Sequence, residues 1–214
     1  MKNILTAGLL IITFLSVNTL QSYSLGEDEE LMKGNILCLV LDKGKIKALE
    51  DFDSCKGLMI FVGMDRRIYT LAGNEDELQK IAKSPKRMMG YRTPLKINGS
   101  PQGNERAWIL YTSGLVSDDL ELNVERMISG TVACIIPDYM KGNAKPFIST
   151  VPCNDKAPHL HVLFTDDGKI YALQGTEDTI RDIEKTPNKK SLTLKGKITG
   201  NESSPVLIVE HIII

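Results

Sequence analysis

"RRIYTLAGNEDELQKIAKSP", residues 66–85, returns later in the chain as "GKIYALQGTEDTIRDIEKTP", residues 168–187. Each stretch runs from a β-rich pentad through a glycine, Gly73 or Gly175, into a segment of helical character. Asn74 or Thr176 stands where a helix N-cap is needed, acids fill the first turn, lysines lie near the end, and Pro85 or Pro187 comes next. A strand that hands over to a helix at the same glycine twice marks a tandem duplication.

The similarity spreads outward from there. "GNILCLVLD" (34–42) matches "GTVACIIPD" (130–138), "LKING" (95–99) matches "LKGKITG" (194–200), and "GNE" occurs at both 103–105 and 200–202. The offset grows from 96 between Cys38 and Cys134 to 102 between Tyr69 and Tyr171, so the second copy carries insertions around its second cysteine, as loops tolerate. Within one copy the order is strand 34–41, a polar loop, strand 58–62, a tight turn, strand 68–72, helix, and two further strands at 95–99 and 107–111. The second copy repeats this with strands at 130–136, 160–164, 170–174, 192–198 and 206–213.

That order resembles the oligonucleotide/oligosaccharide-binding (OB) fold, a small five-stranded barrel with a helix between strands 3 and 4. The resemblance implies a mainly β chain of two tandem five-stranded OB-like barrels. A two-layer sheet with one helix across it is the competing arrangement. The resulting division is 1–24 signal peptide, 25–33 acidic leader, 34–112 first OB-like repeat, 113–125 acidic linker and 126–214 second OB-like repeat.

Lys2 followed by the apolar run Ile4–Val17, with Ser22 and Ser24 at small-residue positions, reads as a secretory signal. The run is short for a bilayer span, so no transmembrane segment is expected after cleavage, and the expected location is periplasmic or extracellular. The chain holds 26 basic and 27 acidic residues, a formal net charge of −1, which is not the footprint of a nucleic-acid binder. Residues 34–112 are locally basic, with thirteen basic against nine acidic side chains, and Lys80, Lys83, Lys86, Arg87, Arg92 and Lys96 crowd the helix and the segment C-terminal to it. They read as a solvated helix face and loop, with a site for a polyanion other than nucleic acid as the alternative.

All four cysteines fall at matching places: Cys38 and Cys55, Cys134 and Cys153. In an exported protein such repeated pairs read as one disulfide per copy, each closing a short loop and contributing about 3 kcal/mol in the chain-entropy picture. No Cys-x-x-Cys is present, which removes support for a thioredoxin-like role.

"CNDKAPHLHVLF" (153–164) places His159 and His161 two apart on the second strand of the second copy. Leu160, Val162 and Phe164 form one apolar stripe of that strand, so alternation turns His159, His161 and Leu163 to the other face. That face is expected to be wet and to serve as the surface for a ligand or for an unknown protein of the cell envelope. Two strand histidines can also share a divalent ion, zinc or copper, with His211 as a third ligand if the last strand approaches. If the cysteines were free, Cys134, Cys153, His159 and His161 would supply the four ligands structural zinc wants, and this excludes the disulfide. Otherwise no cofactor is implied.

Other residues carry less. Met64, Met88, Met89, Met127 and Met140 lie outside the clearest core runs, and methionine can bind copper(I), though gap-filling is its commoner use. Tyr69 and Tyr171 match and share a face with Leu71 and Leu173, as packing residues do; Asp42 and Asp138 match at a strand end, where aspartate caps turns. No G-x-S-x-G, phosphate loop or dinucleotide fingerprint occurs, and the expectation is a non-catalytic binding or interaction module, with a metal-binding protein using the histidines as the alternative and an unrecognised enzyme third.

Overall fold

The computed structural model describes residues 30–83, 95–112, 124–148, 152–153 and 159–213. The signal peptide, residues 25–29 of the leader, residues 113–123 of the linker, and Lys86, Arg87, Met88, Met89 and Arg92 lie outside the described residues.

Each repeat forms one sheet and one helix. The first contains β1 (Glu30–Asp42), β2 (Lys45–Leu49), β3 (Leu58–Gly63), β4 (Ile68–Ala72), α1 (Glu75–Ala82), β5 (Leu95–Asn104) and β6 (Ala107–Thr112). The second contains β7 (Val124–Asp138), β8 (Asn143–Phe147), β9 (Leu160–Phe164), β10 (Ile170–Gly175), α2 (Glu177–Lys185), β11 (Leu192–Thr199) and β12 (Val206–Ile213). The protein is therefore mainly β, with two six-stranded sheets ordered β2-β1-β3-β4-β6-β5 and β11-β12-β10-β9-β7-β8.

Six strands per sheet correct the expected five. The additional ones, β2 and β8, arise in segments read from sequence as polar loops. Lys43 and Gly44 both take positive φ, 50° and 71°, which is the turn that folds a strand back on itself with the right twist. Both added strands sit at sheet edges, where polar residues and Pro146 are tolerated. The long strands β1 and β7 also extend into the residues read as leader and linker.

β1 changes partner along its length. Its first residues pair with β5, its middle with β3 and its end with β2. Gly34 stands at the switch between β5 and β3, where a β-carbon would meet the Val62 carbonyl oxygen at 2.3 Å. Gly130 does the same on β7, 2.4 Å from the Phe164 carbonyl oxygen. Only a residue with no side chain permits these two close approaches.

Each sheet is covered on both faces. Leu39, Leu58, Ile60 and Val62 of the first sheet pack against Ile135, Leu160, Val162 and Phe164 of the second. The reverse face of the first sheet, with Met59, Phe61, Tyr69 and Leu71, is closed by Leu78 and Ala82 of α1. The reverse face of the second, with Val132, Leu163, Tyr171 and Leu173, is closed by Ile180 and Ile183 of α2. This is why "LMIFV" and "LHVLF" are continuous runs without clean alternation: every position of both strands is buried. The helices begin as their caps require. Asn74 Oδ1 accepts from the Asp76 amide at 2.9 Å and Thr176 Oγ1 from the Thr179 amide at 3.2 Å.

The repeated "GNE" has a role in joining the halves. Asn104 donates its side-chain amide to the Gly175 carbonyl of the other repeat at 2.9 Å. Asn201 donates in the reverse sense to the Gly73 carbonyl at 2.6 Å. Each turn between the last two strands of one repeat thus grips the strand-to-helix glycine of the other. Ser203 strengthens one side, accepting from Gln79 Nε2 at 2.9 Å and lending its carbonyl to the Met59 amide at 3.2 Å.

Because the halves share a core and this clasp, urea unfolding is expected to be one cooperative transition. Asn201→Ala and Asn104→Ala should each lower stability by about 1 kcal/mol, the net worth of a hydrogen bond, with m unchanged. Two separate transitions in the unaltered protein would show that the repeats fold independently.

Candidate metal centre

The face that carries His159, His161 and Leu163 lies under α2 and is not wet. Leu163 is fully buried, His161 is 1% exposed and His159 is 6% exposed. The expected solvent-facing surface is corrected on this point. The strand alternates as expected, but both of its faces are occupied, one by the first repeat and the other by the helix.

The ladder explains what surrounds them. His161 stands directly across from Cys134 on β7, as Met59 stands across from Cys38 on β1. In the first repeat this slot is filled apolarly: Cys38 is bonded to Cys55, with Cα atoms 5.6 Å apart, among Phe52, Met59 and Ile36. In the second repeat Cys134 is bonded to Cys153, with Cα atoms 7.7 Å apart, and the neighbours are two imidazoles. One ligand atom from each of Cys134, Cys153, His159 and His161 lies within 4.8 Å of all the others. The two imidazole Nε2 atoms are 3.1 Å apart and their rings meet edge to face.

The electrostatics suit electron-pair donation. Burial, assisted by His159, Lys189 and Arg106, pushes the His161 imidazole well below its ordinary pKa. It is held neutral, the form that carries a free lone pair. Its Nδ1 is buried with no hydrogen-bond partner, a cost that a purely structural residue has no reason to bear. Lys189 is fully buried and donates from Nζ to the carbonyls of Glu184 at 3.0 Å and Thr186 at 2.9 Å, closing the last turn of α2. Burial lowers its pKa. Arg106, reaching over from the first repeat, pairs with Glu184 and lies 3.6 Å from Glu177. Cys153 is tied to the same corner, its amide donating to the Glu184 carbonyl at 2.8 Å.

A tetrahedral ion with two sulfur and two nitrogen ligands needs donor-to-donor edges of about 3.3–3.8 Å. The four atoms lie within 4.8 Å of one another, and the two sulfurs, bonded to each other here, become available as separate ligands only when that bond is reduced. His211 does not join them. It is exposed on β12 opposite Lys195, beyond the point where β12 pairs with β10, so the third imidazole expected for a histidine-only site is replaced by two sulfurs.

The other singled-out residues behave as packing or turn residues. Tyr69 and Tyr171 are buried with Leu71 and Leu173, and Asp138 Oδ1 accepts from the Met140 and Lys141 amides at 3.2 Å. Met64, Met127 and Met140 are exposed and far apart in sequence. Sequence reasoning did not find Lys189, Arg106 or Glu184. One available signal was that His161 aligns with Met59, a hydrophobic position of the first repeat. Among the described residues no helix is long and apolar enough to cross a membrane.

Comparison with protein families, characterised proteins and solved structures finds no match to this chain.

Replacing His161 with the residue that occupies its slot in the first repeat tests whether the imidazole is there for stability. His161→Met removes a buried polar atom that lacks a partner together with the 3.1 Å hydrogen bond to His159 Nε2, so the two effects should nearly cancel and the metal-free oxidised protein should stay within about 1 kcal/mol of the unaltered one in urea unfolding. A loss of about 2 kcal/mol or more would mean the histidine is a structural residue.

Proposed function

We propose that the chain is an exported, non-catalytic binding module whose second repeat holds one zinc ion between Cys134, Cys153, His159 and His161 when its cysteine pair is reduced. The observation that carries this reading is the convergence of the four ligand atoms within 4.8 Å at a buried site. Two thiolates and two imidazoles form a donor set of structural zinc and a closed one, leaving no position for substrate. Copper(I) is the alternative ion, since it also takes soft sulfur ligands.

Disulfide and metal are alternative states of the same two sulfurs. A dithiol reductant supplies two electrons that cleave the Cys134–Cys153 bond, giving two thiols and the oxidised reductant. The ion then displaces one proton from each thiol. Cys38 and Cys55 have no imidazole neighbour and remain a structural pair. The apolar leader and the paired cysteines support a periplasmic or extracellular setting. The pairing of β1 with β5 and of β7 with β11, together with the parallel pairs β4–β6 and β10–β12, supports an OB-like barrel within each repeat.

Native mass spectrometry of protein reduced and then exposed to zinc should show one ion per chain, and the oxidised protein none. His159→Ala and His161→Ala should each weaken zinc binding at least tenfold, while Met59→Ala leaves it unchanged. Cobalt substituted at the site should give sulfur-to-metal charge-transfer absorption. Reduced protein that takes up no stoichiometric metal would overturn the proposal, and uptake indifferent to both histidines would do the same.

A further inference from the structure

The two repeats line a half-open cavity of about 480 Å³ on the side of the clasp made by Asn104. Its walls come from both halves: Asn104, Ile109 and Tyr111 from the first, Gln174, Thr179 and Glu210 from the second. A volume in this range suits a drug-sized molecule.

Gln174 is what makes the cavity more than a packing gap. It lies on β10, opposite Ile208 in the parallel ladder, and is 7% exposed. Its Nε2 is buried with no hydrogen-bond partner, and the side chain lines the cavity. The equivalent position in the first repeat is Ala72, which is fully buried and apolar. The second repeat therefore carries an amide donor where the fold itself asks only for a small apolar side chain. An unmade buried hydrogen bond costs free energy, and an acceptor brought by a ligand recovers it.

The remaining lining defines the ligand. Ile109, Ile208 and Val209 supply apolar surface. Burial raises the Tyr111 pKa, which keeps its hydroxyl protonated. Among the described residues Glu210 is the one charged side chain in the lining, and the first turn of α2 carries Glu177 and Asp178. Arg181 pairs with both of these acids and Arg106 lies 3.6 Å from Glu177, so Glu210 is the charge that disfavours an anion. The geometry points to a binding site for a neutral, mostly apolar small molecule bearing a carbonyl-type acceptor, which receives the Gln174 amide. This site is separate from the metal centre and does not depend on it.

Nile red, a neutral apolar dye with a ring carbonyl, is a suitable probe of the full-length, metal-free, oxidised protein. Saturable, one-to-one binding with blue-shifted fluorescence is expected. Gln174→Ala, which restores the first-repeat residue, should weaken it about tenfold. Thr179→Trp and Ile208→Trp each crowd the cavity from a different element and should abolish it, with circular dichroism confirming that each variant is folded. An anionic naphthalenesulfonate dye should bind at least tenfold more weakly than Nile red. Absence of saturable Nile red binding would overturn the inference, as would binding that survives both tryptophan variants or is untouched by Gln174→Ala.

Discussion

The packing of one sheet face of each repeat on the other, closed by Asn104 and Asn201 reaching across in opposite senses, governs everything else in this protein. Once Leu58, Ile60 and Val62 are set against Leu160, Val162 and Phe164, the outer face of each sheet has only the helix of its own repeat for cover. Helix α2 is therefore pressed onto the strand that carries His159 and His161. The histidines are dry because two copies of one fold chose each other as partners.

The two halves have diverged unequally under that common constraint. The first keeps apolar or small side chains at its special slots: Gly57 and Met59 under the helix, Ala72 at the end of β4. The second places His159, His161 and Gln174 there, and leaves a ring nitrogen and an amide nitrogen buried without partners. Polar groups of this kind lower stability, and the first repeat shows that the fold does not require them. At these three slots the first repeat is apolar or small and the second polar, while buried Thr70 Oγ1 and Arg106 Nε of the first repeat also lack partners.

How much was legible in advance depends on the range of the interaction. The helix caps Asn74 and Thr176 and the main strands are written locally, and the duplication doubled each signal; the matched positions of Cys38 and Cys55 with Cys134 and Cys153 pointed to the pairs. The edge strands β2 and β8 were missed because "KIKAL" and "NAKPF" mix lysine, proline and short apolar residues, and their pairing is set by the turn before them. Burial of Leu163 and the histidines could not be read from alternation, which says that two faces differ but not what covers each. Alignment with Met59 was the available hint. The reach of Arg106 was unreadable because Glu184 lies 78 residues further along the chain, and Lys189, although it bonds carbonyls only three and five residues back, carries no local pattern that signals its burial.

Helix α2 is held at both of its ends. Near one end, the Glu184 carbonyl receives the Cys153 amide and the Lys189 amine; at the other, Thr176 and Thr179 form part of the inter-repeat cavity wall. Its nine residues make a rod about 13 Å long. Both tips of the rod are therefore held, one by the Cys153 and Lys189 contacts and the other by the cap that Thr176 supplies.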